Sequence, residues 1–181
     1  MVGNGYRASV SSDGTFAMKG LFGPLFFRLG DVPPDWMIKA VRTSASDVTD
    51  TPMTFGRPNQ SLDDVEIVVT NRASSIAGTV SDAKSQPVAD YVVIAFSTDR
   101  DRWYRESRFL KYTLAEPDGS FTVRGLPAGD YFVAAVDWMQ PSPGFGEWQD
   151  PEILDALSRR ASRVTLTDGQ RVQLALKLVP R

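Results

Sequence analysis

Carboxylates, hydroxyls, lysines and tyrosines are the only side chains here that could do covalent or acid–base work, because the 181 residues include no histidine and no cysteine. That removes the commonest general base at neutral pH, thiolate nucleophiles, disulfides and most zinc sites. The densest acidic group is Asp99, Asp101 and Glu106, which alternate with Arg100, Arg102, Arg105 and Arg108. Such alternation makes a solvated face of ion pairs, whereas a working acid–base pair needs one carboxyl raised by burial. Asp13 and Asp118 each precede a glycine, which is the chemistry of a turn; calcium would need about six to eight converging oxygens. Asp47, Thr49 and Asp50 place two carboxylates and a hydroxyl close together and still fall short of that number. No G-x-S-x-G nucleophile elbow occurs, and Gly78 sits inside a predicted strand. The expectation is therefore a protein that is not an enzyme, with no catalytic residue, no metal site and no cofactor.

Aromatic side chains are the remaining candidates. Trp103, Tyr104, Trp138 and Trp148 lie in or beside predicted loops, where rings could stack on sugars or fill a partner's pocket. The alternative is that each packs down on its own loop or under a helix, the expected arrangement for Trp138 at a strand end. Trp36 and Phe26 are expected in a core. A formal net charge of −2 and a pI of about 5.2 give no basic excess for neutralising phosphates, so nucleic acid is not an expected partner. No apolar run of about 18 residues suggests a transmembrane segment. The first residues lack the charged start and apolar centre of a signal peptide, so any export signal is expected to lie upstream.

The elements that must position these groups are strands. Asp118 and Gly119 form a turn dipeptide, and Phe121 and Val123 then alternate with Ser120, Thr122 and Arg124 in the period of a half-buried strand. Gly125-Leu-Pro-Ala-Gly129 reverses the chain into a short apolar run over residues 131–136. Asp13, Gly14, Phe16, Gly20 and Leu21 each sit 105 residues before Asp118, Gly119, Phe121, Gly125 and Leu126, which indicates two copies of one unit. Residues 6–11 could be a short strand. Residues 53–55 with 65–69, and 164–166 with 172–176, read as closing hairpins of the two copies. One helix is predicted over residues 151–160, with Asp150 as N-cap and Pro151 at its first position.

The expected organisation is an incomplete β-sandwich unit over residues 1–72, the second half of a repeat, and a complete sandwich over residues 73–181. The second copy spends about forty residues on strands before its Asp-Gly turn, and the first has only twelve. Either the first copy is a severed piece or another chain completes it by strand exchange, since half a sandwich exposes strand edges.

At Ile76-Ala-Gly-Thr-Val-Ser-Asp82, Gln86-Pro-Val88, Val92-Val-Ile-Ala95, Asp118-Gly-Ser-Phe121, Gly125-Leu-Pro-Ala-Gly129 and Tyr131, the second unit resembles the carboxypeptidase regulatory-like domain. The resemblance implies an all-β, Ig-like or transthyretin-like antiparallel sandwich, repeated in large secreted or envelope proteins of bacteria. It also implies an extracellular or periplasmic location and an accessory, non-catalytic role beside neighbouring domains of a longer chain. A fold shared with carbohydrate-binding modules leaves a polysaccharide as well as a protein partner open, and the incomplete first unit leaves self-association open. Fold alone does not choose among them.

Overall fold

The computed structural model describes residues 6–33, 35–139 and 146–180. The chain divides into two compact units, Met1–Pro33 with Met37–Thr70, and Pro34–Trp36 with Asn71–Arg181.

The first unit has four short strands, β1 (Gly23–Leu25), β2 (Met37–Arg42), β3 (Met53–Phe55) and β4 (Glu66–Thr70). They form two antiparallel pairs, β1 with β3 and β2 with β4. The expected hairpin of residues 53–55 with 65–69 is not formed, and its strands go to different pairs. The reason is local: the Gln60 Oε1 accepts from the Gly56 and Arg57 amides while its Nε2 donates to the Thr54 carbonyl, which coils the chain into a loop beyond β3. Residues 6–11 form no strand. Ile38, Ala40 and Val41 are buried, but Phe26 is only half-buried, and Trp36, assigned to the second unit, is 41% exposed. Neither is a fully buried core residue as expected: the four short strands of the first unit offer Phe26 too little apolar cover, and Trp36 lies outside the strands, just before β2.

The two Asp-Gly turns have the same hydrogen bonds. Ser11 N donates to Thr15 O at 2.8 Å and Glu116 N to Ser120 O at 2.7 Å; Gly14 N reaches Ser11 O and Gly119 N reaches Glu116 O, each at 2.9 Å. Each aspartate Oδ1 accepts from the amide two residues on, at 3.0 and 2.9 Å. Gly14 and Gly119 take φ of 84° and 77°, a region in which a side chain is strained. After the second turn the chain becomes a ladder strand; residues 15–21, after the first, join no ladder among the described residues.

The second unit holds β5 (Ser74–Ser81), β6 (Val92–Ser97), β7 (Leu110–Leu114), β8 (Ser120–Leu126), β9 (Gly129–Val136), α1 (Pro151–Ser158), β10 (Ser162–Leu166) and β11 (Arg171–Lys177). One sheet has the order β10-β9-β6-β7 and the other β11-β5-β8. All neighbours are antiparallel except β11 with β5, which run parallel. The fold is an all-β sandwich with one short helix. The expected hairpin of β10 and β11 is instead a crossing between sheets. Its turn is held by Gln170 N to Thr167 O and by Ser75 N to Gln170 O, which hand the chain over to β5's sheet.

Between the sheets lie Ile76, Val80, Val93, Phe121, Val123, Leu126, Tyr131, Val133 and Leu176. A second core on the outer face of the larger sheet gathers Val92, Ile94, Phe96, Phe132, Ala134 and Val136 with Leu154 and Leu157 of α1. Strands β6 and β9 are thus buried on both faces, which is why they read as continuous apolar runs and not as alternation. The Asp150 carboxylate caps α1 by accepting from Glu152 N at 2.8 Å, as expected. The Tyr131 hydroxyl donates back to Pro127 O at 2.8 Å, fixing the corner before β9.

Candidate functional site

The charged loop after β6 explains where the aromatics go. Asp99 caps a 3-10 turn, Arg100–Arg102, by accepting from Asp101 N, and this turn aims the next residue back at the sheet. Trp103 lands there, 7% exposed, its Nε1 donating to Ser97 O at 2.6 Å and its ring edge-on to Phe96 at 5.5 Å. Trp148, on a second 3-10 turn, Glu147–Gln149, is also 7% exposed and lies 4.7 Å from the Tyr112 ring. Trp138 is half-buried against the same core, and Tyr104 is half-buried in the loop.

An exposed, coplanar platform of Trp103, Tyr104 and Trp148 is therefore not what the structure presents. The outer faces of β6 and β9 are apolar and must be covered. The two tryptophans, Trp138 and α1 are that cover.

Asp99 of the loop is engaged in both an ion pair and a cap. Arg102 pairs with Asp99 at 3.2 Å, and Arg100 crosses to Asp155 of α1, which also holds Arg159 at 2.9 Å. The guanidinium of Arg102 lies 4.0 Å over the Phe109 ring. In the first unit the Thr49 hydroxyl is buried, donating to Asp47 Oδ1 and accepting from Val41 N at 2.8 Å, so this group closes a turn against β2. Hydrogen bonds from Thr15 hold the Asp13 carboxyl below the ordinary carboxylate range, and those from Ser120 do the same for Asp118. Burial, followed by the nearby Asp118 and Glu116, pushes the Tyr91 phenol up; its hydroxyl donates to Gly119 O at 2.7 Å. Among the described residues no group of three or more acidic side chains could hold a metal ion, and no helix is long and apolar enough to cross a membrane.

One concavity carries convergent polar groups. A shallow open groove of about 460 Å³ lies along β9 and β10, lined by Thr98, Asp130, Phe132, Arg163 and Thr165. The Thr165 hydroxyl donates to Asp130 Oδ1 at 2.5 Å, Thr98 N donates to Asp130 O at 3.0 Å, and the Arg163 guanidinium stands 5.0 Å from the Phe132 ring centroid. Carboxylate, guanidinium and hydroxyls are groups that exchange hydrogen bonds with a polyol. Sequence reasoning missed them because they come from three distant segments. The one local signal is the alternation Ser162-Arg-Val-Thr-Leu166 of an edge strand with polar side chains outward.

No family model matches the chain, and no curated protein matches it significantly. Among solved structures it is similar to a candidate carbohydrate-binding protein from Pseudomonas aeruginosa at 13% identity and TM-score 0.36, over 57% of this chain and 87% of that one. It is similar to a streptococcal ancillary pilin at 16% identity and TM-score 0.37, over 81% of this chain and 45% of that one. A third is the dioxygenase domain of a dioxygenase–carbohydrate-binding fusion from Streptomyces sp. SirexAA-E, at 18% identity and TM-score 0.32, over 59% and 79%.

Proposed function

We propose that these residues act as a non-catalytic spacer and interaction module of a larger exported bacterial protein, of the carboxypeptidase regulatory-like type. In this reading the second unit is a whole sandwich, the first is the second half of one, and the location is extracellular or periplasmic. The observation that carries it is the two-sided burial of β6 and β9. The sandwich and its helix close the apolar surface on themselves and leave a rigid body whose candidate aromatics serve packing. The absence of histidine supports it further, since non-haem iron oxygenases take imidazole ligands. The interaction role is supported by residues 15–21, which match β8 at Phe16, Gly20 and Leu21 and join no ladder among the described residues.

A second reading, a carbohydrate-binding module, is favoured by one observation, the polar groove at Asp130 and Arg163. Thermal melting of the chain with cello-, xylo- and chito-oligosaccharides separates the two. A spacer melts unchanged. A binding module at saturating sugar gains on the order of 2–3 kcal/mol, an upward shift of several degrees that Asp130→Ala abolishes, and that result would replace the first reading by the second.

A further inference from the structure

We infer that the second unit bears tension along the chain through a shear clamp made by β5 and β11. This rests on the spacer reading and adds how such a spacer holds. The two strands are the first and last of the unit, and they pair in parallel over seven successive positions, Ser75 to Ser81 against Arg171 to Lys177.

The direction matters. Because the strands run the same way, the chain enters at the beginning of one and leaves from the end of the other, so a pull is applied at opposite ends of the ladder. It slides the strands past each other and strains all their hydrogen bonds together. A pull at neighbouring ends would open the pairs one after another. On its other edge β5 is held antiparallel by β8, so it cannot follow β11 out.

Both ends of the clamp are pinned. At the entry the Ser74 hydroxyl donates to Thr167 O at 2.8 Å and Ser75 N to Gln170 O at 3.0 Å. At the exit Leu178 N donates to Ser81 O at 2.9 Å and Val179 N to Ala135 O at 2.8 Å. Leu176 is seated in the inter-sheet core and Val179 in the outer one. The register resists slipping as well. A Cβ on residue 78 would lie 1.8 Å from the Leu174 carbonyl oxygen, so a slide by the two-residue repeat of the ladder would set Ile76 or Val80, each with a Cβ on the same face, against it.

The test is single-molecule pulling of the whole chain, whose lack of cysteine allows handles to be placed at will. Asn71→Cys with Pro180→Cys loads the ladder in shear. Asn71→Cys with Asp168→Cys loads it from one end, since the turn at Gly169 lies against Arg72. All three positions are exposed and outside the strands, and equal urea midpoints for both double variants confirm that the handles leave the fold intact. The shear pair is expected to yield at no less than about twice the force of the peeling pair, because some seven pairs break together and not singly. Equal forces, or a lower force in shear, would overturn the clamp. That failure would leave the spacer reading standing, because the oligosaccharide melts decide it separately.

Discussion

At Gly78 a hydrogen atom occupies a place where any other residue would put a carbon atom on the Leu174 carbonyl. Gly78→Ala should force β5 and β11 apart and cost at least roughly 1–3 kcal/mol, read as a lower urea midpoint. Tyr131→Phe removes the hydroxyl that satisfies the buried Pro127 carbonyl; the expected loss is again roughly 1–3 kcal/mol, with the strand order kept. Asp118 acts through pH. Its folded pKa lies below the ordinary 3.8, so the native turn favours the carboxylate. Its contribution is present above that ordinary value and lost as pH falls through the lower folded value. Asp118→Asn keeps the acceptor for Ser120 N and cannot titrate, so urea melts between about pH 5 and pH 2 should show a flatter loss of stability for the variant than for the parent.

Residues 15–21 match β8 at Phe16, Gly20 and Leu21 and differ in company. Amide hydrogen exchange should separate them, with residues 15–21 exchanging quickly and residues 120–126 protected by the ladder to β5. Comparable protection of both would show that residues 15–21 have found a strand, and a concentration-dependent mass would then identify a second copy as its source. The turns, β8, β9 and the capped helix were legible because each depends on signals within a few residues: Asp-Gly, Gly-Leu-Pro-Ala-Gly, and Asp150 before Pro151. The pairing of β11 with β5 was not, because Ser75 and Arg171 lie far apart in the chain and nothing local records which sheet a strand will join. The supposed hairpin of β10 and β11 fails for the same reason, and that of residues 53–55 with 65–69 fails because the Gln60 side chain coils the chain beyond β3. Trp103 and Trp148 looked like loop residues because they are; only the apolar outer face of β6 and β9, assembled from separate segments, determines that the loops turn inward.

The two units differ in how far each can stand on its own burial. The first has a handful of buried side chains, and the second has two cores back to back across one sheet. Leu154→Ala, at a fully buried helix position, should cost roughly 2–5 kcal/mol by opening the outer core. The first unit should melt at a lower temperature than the second, as two steps in calorimetry. The placement of the four tryptophans makes these events optically distinct. Trp103, Trp138 and Trp148 belong to the outer core, Trp36 is 41% exposed and lies outside both cores, and the inter-sheet core contains tyrosine and phenylalanine but no indole. Three of the four tryptophans therefore watch the helix-covered face, and Trp36→Phe leaves emission from that face alone. If α1 lifts before the sheets part, fluorescence will shift to the red while the far-ultraviolet signal of the strands stands still, and the interval between the two curves measures how independently the back-to-back cores come apart.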